Sequence, residues 1–445
     1  MTRGLQSTSV HFLALVVLVC ALGVGAAAAG PRGPAPTERT LVTVNLGAAR
    51  QVISGFGTST RVWSDPHLAK SANVSVPPAG QRQVLQAIQR LGLTRIRPVL
   101  DPGVQKQPGG PFDFSGKLGD AQAAFVKQAR KYGIRTVFPG PVFLEPWMTA
   151  DDPGAYVDWA MAMLERFRKD GVDLALYAPL NEPAVSGDFP PEWMHQVVLQ
   201  LGRRMRAAGF QTKLVIPDDE NPLDAYERAR AVLSDPESRK YVAAVAFHIY
   251  RDVTPENIAR LRRLATQYDL PLWMTEYVNN DYKDWDSSLD WGVKIDTLLT
   301  EDVNAVDYLF AFFGNWVGDS TLVRMDFDNG RYKGMTLTSM YWITGQFSRY
   351  VRPGDVRVAA TRGSGDLLVT AFRGPHRATV VALNVGGSTQ TIRVGVKGGK
   401  VGRVVKPVRS SESEQWRPLR AIPVRQGSFT ATLPAWSITT FRLSR

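Results

Sequence analysis

Eight short apolar runs rich in Val, Ile, Leu and Phe recur between residues 52 and 312, and stretches with helical spacing separate them. The runs cover residues 52–56, 95–99, 134–138, 174–180, 213–216, 242–247, 272–275 and 305–312; helical periodicity marks 81–91, 121–132, 156–168, 192–208, 225–233 and 257–267. A strand with its crossover helix takes roughly 30 residues. Strands that alternate with helices and are apolar along their whole length predict parallel pairing, buried on both faces. The expected fold class is therefore α/β, a (β/α)8 barrel over residues 51–350. An open doubly wound sheet is the rival, but it asks for a glycine-rich phosphate loop after its first strand, and Gly55-Phe56-Gly57-Thr58 lacks the full spacing.

The pattern changes after Pro353. Residues 356–361, 367–372, 379–383, 389–394, 428–433 and 437–443 alternate apolar with polar and are broken by Gly-Ser-Gly, Gly-Pro and Gly-Gly turns, which predicts a C-terminal antiparallel β-sandwich over 351–445. Residues 41–46 alternate in the same way, so a strand within 41–50 is expected to join that side domain. Residues 30–40, rich in Pro and Gly, are expected to form a disordered leader. Before them, Arg3 precedes an apolar run over 12–22 that ends in Ala27-Ala28-Ala29, the pattern of a cleaved signal peptide over residues 1–29. The chain is thus expected to be secreted, extracellular or periplasmic. An uncleaved anchor is the alternative, since the apolar stretch reaches the lower end of spanning length, about 17 residues. Cys20, the only cysteine, lies inside this segment, so the mature chain has no disulfide and no thiolate metal ligand.

With 53 Lys and Arg against 41 Asp and Glu, the net charge is +12. The cations are scattered among acids rather than clustered, and no nucleic-acid recognition motif is present, so a soluble basic surface is the reading. The five histidines show no paired ligand spacing, and no Gly-x-Ser-x-Gly elbow occurs. Neither a metal nor another cofactor is expected. Neither a nucleic-acid nor a membrane partner is expected once the signal is cleaved, and the expected state is a monomer.

Two segments carry the chemistry. Leu180-Asn181-Glu182-Pro183 follows the fourth strand, and Met274-Thr275-Glu276-Tyr277 closes the seventh, 94 positions on (276 minus 182). In a closed barrel both carboxyls emerge at one rim, and glycoside hydrolysis needs two carboxylates flanking a single sugar bond. In a retaining mechanism one carboxyl protonates the leaving oxygen while the other attacks the anomeric carbon, at a separation of about 5 to 5.5 Å. Glu182 is assigned as acid/base and Glu276 as nucleophile. The other reading makes both of them rim carboxylates held in salt bridges. Glu145, Asp218, Asp219 and Glu220 are rival acids at the ends of strands three and five, ranked as rim hydrogen-bonders.

Those two motifs, with Phe247-His248-Ile249-Tyr250 on strand six, resemble the large clan of retaining barrel glycosidases. Gly345-Gln346-Phe347-Ser348-Arg349-Tyr350-Val351-Arg352-Pro353-Gly354, leading into a small sandwich, narrows the resemblance to glycoside hydrolase family 30; Gly55-Phe56-Gly57 and Pro146-Trp147-Met148 are similar to that family's motifs too. One departure is Thr58-Ser59 after Gly57, where the family often has Gly and Ala. The resemblance implies a secreted retaining β-glycosidase acting on a β-linked polysaccharide, with a weak lean to xylan. β-1,6-glucan, β-1,6-galactan and glucosylceramide are the other specificities it implies, and a non-catalytic carbohydrate-binding protein is the reading from another class.

Further candidates for the site are ranked by side-chain chemistry. Asn181 could bind the sugar 2-hydroxyl, Tyr250 could orient Glu276, and His248 could line the floor or be a core histidine. Arg97 on strand two could contact substrate, though a buried carboxylate partner is the commoner role. Trp147, Trp316 and Trp63 are candidate stacking platforms, or core residues. Residues 318–326 are expected to loop over the cleft, where Arg324 could hold a substrate carboxylate or be a solvated loop arginine.

Overall fold

Residues 242–248 read Val-Ala-Ala-Val-Ala-Phe-His, and six of the seven are buried. A strand so apolar on both faces needs cover on both sides, which a barrel wrapped by helices supplies. In the computed structural model, which describes residues 40–115, 119–361, 363 and 365–445, the eight strands of a parallel barrel follow in chain order. They are Gly55–Thr60, Arg95–Leu100, Thr136–Val137 with its continuation Gly140–Pro141, Leu176–Tyr177, Lys213–Asp219, Val242–His248, Leu272–Glu276 and Ala305–Tyr308. The ladder runs from the third strand back through the first and eighth to the fourth. Ala178 N–H donating to the Pro139 carbonyl (2.9 Å) and Asn181 N–H to that of Pro141 (3.0 Å) close the remaining gap. The fourth run, apolar over seven residues, contributes only two to the ladder, because its upper half turns into the loop that carries Glu182.

Pro stands at the first position of seven helices, among them Pro78–Leu91, Pro153–Lys169, Pro191–Ala207 and Pro255–Gln267, where its missing N–H costs nothing and its fixed φ suits the first turn. The barrel interior is small-residue packing, with Ala178, Val215, Ala244, Ala246 and Ala305 around Phe138 and Trp273. Arg95 is fully buried among them, its guanidinium carbon 3.9 Å from the Trp273 ring centroid and its Nε 3.1 Å from Asp307 Oδ1. Side chains alternate along a strand, so Arg97 sits on the same inward face as Arg95, nearer the C-terminal rim.

The side domain is one sheet of mostly antiparallel strands around its own apolar core of Val42, Val44, Val369, Val380, Phe441 and others. Thr40–Val52 does enter it, pairing antiparallel with Val356–Ala360 and, in the sheet's single parallel ladder, with Gln390–Lys397. Val404–Ser411 and Glu414–Pro418 are strands the alternation did not reveal, because their Lys, Pro and Arg residues break the apolar rhythm. The helix Ser339–Ser348 joins sandwich to barrel. Ser348 Oγ donates to the Leu91 carbonyl (2.6 Å), Thr440 Oγ to the Gln346 carbonyl (2.6 Å), and Trp416 packs so closely on Gly345 that a Cβ there would lie 2.0 Å from the indole.

Residues 318–326, expected as a loop, are partly strand. Phe312–Gly314, Val323–Asp328 and Arg331–Leu337 form a three-stranded sheet, since the turn Asp328-Asn329-Gly330 favours a hairpin. The signal segment and the leader up to residue 39 lie outside the described residues; Thr40 already belongs to the first sandwich strand. Among the described residues no helix is long and apolar enough to cross a membrane.

Candidate active site

His248, Glu276 and the pair Asp218-Asp219 end the sixth, seventh and fifth strands, and Glu182 follows the fourth, so all converge on the C-terminal rim. Donor atoms of Glu182, His248 and Glu276 all lie within 4.8 Å of one another. A carboxylate oxygen of each glutamate thus lies within 4.8 Å of the other, a spacing that suits a retaining pair. Both line a cleft of about 460 Å³, together with Ser59, Arg61, Phe143, Asn181, Val185, Phe310 and Phe313.

Glu182 is held in the left-handed region, φ +48°, immediately before Pro183. A non-glycine residue there costs about 1 kcal/mol or more, and the surroundings enforce it. Glu182 N–H donates to the Asp218 carbonyl at 2.9 Å, and Ser186 Oγ caps the Asn181 carbonyl at 2.7 Å. Its side chain receives His248 Nδ1 on Oε1 at 2.8 Å, and the residue lines the cleft.

Glu276 is almost fully buried. Tyr250 OH donates to its Oε1 at 2.9 Å, and Arg97 Nη2 pairs with its Oε2. The other arms of Arg97 reach Asp218 Oδ2 (2.5 Å), Asn181 Oδ1 (2.6 Å) and Ser59 Oγ (3.0 Å). Asp218 also accepts from Thr275 Oγ at 2.5 Å. Burial opposes the charge of Arg97, but Asp218 and Glu276 outweigh it and hold the guanidinium more firmly protonated than usual. Burial likewise works against the Asp218 carboxylate, yet Arg97 and His248 keep it well below the ordinary carboxylate range. For His248, burial would push the ring down, but the charge of Glu276 and contacts with Asp218 and Glu182 raise it to about 10, so the imidazole is cationic at neutral pH. Its Nε2 stands 3.4 Å from Asp218 Oδ1, an electrostatic contact without the alignment of a hydrogen bond. Burial, and then the neighbouring Glu276 charge, lifts the Tyr250 phenol far above its usual range, which keeps it a donor.

The cluster brings Glu182, Glu276, Asn181, Tyr250, His248 and Arg97 together. Arg97 is 1 % exposed and spends its donors on protein groups, so it is a partner of the carboxylates and not a substrate contact. The tryptophans stand elsewhere. Trp147 is half-buried with its Nε1 on the Gln105 carbonyl (2.8 Å), and Trp63 stacks under Phe312 at 4.6 Å. Trp316 is exposed, bonded to the His67 carbonyl (3.0 Å), and touches the cleft wall only through Phe313. The apolar wall is instead phenylalanine, with Phe143 56 % exposed at the rim. Runs of Phe after the third and eighth strands were the available signal. Arg324 is taken by Asp319 at 2.6 Å. Arg61, a cleft residue the sequence did not single out, is held between Asp65 (2.8 Å) and Asp101 (3.1 Å). Glu145 accepts the amides of Gly103, Val104 and Gln105 and so fastens a loop, while Asp219 is pushed up to about 6 by burial against the pull of Arg228.

Comparison with known proteins matches residues 154–326 to the glycosyl hydrolase family 30 TIM-barrel domain, a span that holds both glutamates, Asn181, His248 and Tyr250. A glucuronoxylanase from Bacillus subtilis (strain 168) is 24 % identical over 93 % of this chain and 94 % of its own. Among solved structures, a family 30 endoxylanase from Clostridium papyrosolvens C71 superposes with a TM-score of 0.72 at 23 % identity, over 91 % of this chain and all of that one. An endo-β-1,6-glucanase superposes at 0.67 with 18 % identity, over 93 % and 96 % of the two chains. Family model, relatives and architecture alike support glycoside hydrolase family 30, and the chain is a glycosyl hydrolase.

Proposed function

We propose that the enzyme hydrolyses a β-linked polysaccharide by double displacement, with Glu276 as nucleophile and Glu182 as acid/base. The observation that carries this reading is the narrow gap between the two carboxyls. The contacts separate their roles. Glu182 is the carboxyl that Arg97 does not touch, and it lines the cleft. Glu276, gripped by Arg97 and Tyr250, is oriented for attack on the anomeric carbon. Once it is esterified, Glu182 in the base form activates the water that releases the sugar. Asn181 accepts from Arg97, which leaves its amide N–H2 at the cleft wall to donate to a sugar 2-hydroxyl.

For the substrate we favour xylan, supported by the glucuronoxylanase and endoxylanase among the relatives; β-1,6-glucan is the second choice, supported by the glucanase neighbour. Action outside the cytoplasm follows from the signal-like residues 1–29. The test is turnover of purified β-glycans by the parent, Glu276→Gln and Glu182→Gln, with NMR of the first-formed anomer. Each variant should lose about 10⁴-fold in kcat, as for other members of a covalent catalytic set. Near-parental rates in either variant, or an inverted first product, would overturn the assignment; release of glucose oligomers but not xylose oligomers would overturn the xylan preference.

A further inference from the structure

On the opposite end of the barrel lies a second cavity, of about 590 Å³, between the segment that follows the helix Ser339–Ser348 and the sandwich. Arg352 Nη1 bonds the Gly92 carbonyl, just ahead of the second strand, and Asp355 O accepts from Ile53 N–H, just ahead of the first, so the cavity opens beside the N-terminal ends of the strands and away from the catalytic rim. Its lining is cationic: Arg349, Arg352, Arg377, Arg403, Lys406 and Arg442. Among the described residues Arg377 has a counterion, Asp355 at 2.8 Å, while Arg403, Lys406 and Arg442 have none.

The register makes the crowding deliberate. Lys406 stands directly opposite Arg442 on neighbouring strands, and Arg442 directly opposite Thr379 on the next. Like charges facing each other across a ladder are destabilising, so the sheet tolerates a repulsion that its own acids do not relieve. Burial, and after it the charge of Arg377, makes the Arg352 guanidinium harder to protonate than usual. One aromatic ring, Tyr350, lies in the same wall with Arg442 at 5.3 Å and Arg349 at 5.4 Å from its centroid.

We propose that this cavity is a second glycan-binding site, one that grips a carboxylate-bearing sugar unit of an acidic polysaccharide and anchors the enzyme to it. Guanidinium groups match carboxylates in bidentate geometry, and an aromatic face beside them suits the apolar side of a sugar ring. A concave pocket admits one sugar unit with its carboxylate; the phosphates of a duplex run in file and need an open stripe. The site is separate from the catalytic glutamates, so it works as an anchor and not as a subsite, and it rests only on the enzyme's substrate being carbohydrate.

Calorimetric titration of the full chain with trigalacturonate tests it, against xylotriose, inorganic phosphate and a short DNA duplex, with Lys406→Gln/Arg442→Gln as the variant. The parent should bind trigalacturonate with an affinity that falls as salt rises, and the variant about tenfold more weakly or less, two charge-assisted contacts having been removed. Hydrolysis of a small neutral aryl β-glycoside should be unchanged in the variant, which also separates this test from the failure of the catalytic assignment. Relief of the Lys406 and Arg442 repulsion should leave the variant's melting temperature equal or higher. Equal trigalacturonate binding by parent and variant, a loss of xylotriose binding in the variant as large as that of trigalacturonate, or tighter binding of phosphate or DNA would overturn the proposal.

Discussion

Arg97→Met removes the cation that four groups of the site converge on, and its cost can be worked out from the contacts. The side chain is fully buried and pairs with Asp218, itself wholly buried, and with Glu276. With charge centres about 4 Å apart and an effective dielectric of about 20, each pair is worth about 4 kcal/mol of gross attraction. Much of that offsets the cost of desolvating the ions. Methionine matches the stem's bulk but leaves two buried carboxylates with His248 as the cation beside them, and breaking a buried pair in this way costs about 3–5 kcal/mol. The expected fall in melting temperature is about 5 °C. Activity should fall further than stability explains, because Glu276 loses the contact that orients its Oε2 and Asn181 loses its donor. Scanning calorimetry and kcat on an aryl β-glycoside measure the two effects. Asp218→Asn added to Arg97→Met should recover part of the stability, since it deletes one stranded charge, and the double-mutant cycle reports the coupling. A single variant within about 1 kcal/mol of the parent, well under the cost of an uncompensated buried charge, or strict additivity in the cycle, would refute the cation's role as the hub.

Two further outcomes follow from the same cluster. Tyr250→Phe deletes a hydrogen bond to the Glu276 carboxylate, so kcat should drop about 10- to 100-fold with KM nearly unchanged, in line with the 1.5–3 kcal/mol of a bond to a charged group; a shift in KM alone would argue that the phenol binds substrate instead. His248 is raised above its unfolded value near 6.5 to about 10 in the folded protein, so its stabilising charge is fully present below pH 6.5 and is lost as pH rises through 10. Melting temperatures between pH 6 and 10 should decline more steeply for the parent than for His248→Asn, and parallel profiles would contradict the cationic imidazole.

How far the sequence could be read depended on what each element needs from its neighbours. The fully apolar runs disclosed the parallel strands, because burial on both faces leaves no alternation to hide them. The glutamates at 182 and 276 were legible from their place just past such runs. Arg97 was not legible as a hub, since its partners come from the first, fourth, fifth and seventh strands and meet only once the barrel closes. Asp218 appeared as one acid in the row Asp218-Asp219-Glu220, and only the fold distinguishes the residue bonded to Arg97 and Thr275 from the one facing Arg228 and the one bound to Arg251. The tryptophans misled because their size suits packing as well as sugar stacking: Trp63 supports a cleft residue from behind, while phenylalanine forms the surface. The Gln346-Phe347-Ser348-Arg349 passage, specific as a family mark, proves to be the seam between the barrel and its side domain.

The strand at residues 40–52 has an effect on assembly. Val44 lies beside Ala360 in the sheet although 316 positions separate them (360 minus 44), so this strand finds its neighbours only across the whole barrel sequence. Loop closure over that span is slow relative to local pairing. The pairing of residues 40–52 therefore carries a high contact order, and the barrel is strung between the strands that this pairing ties together.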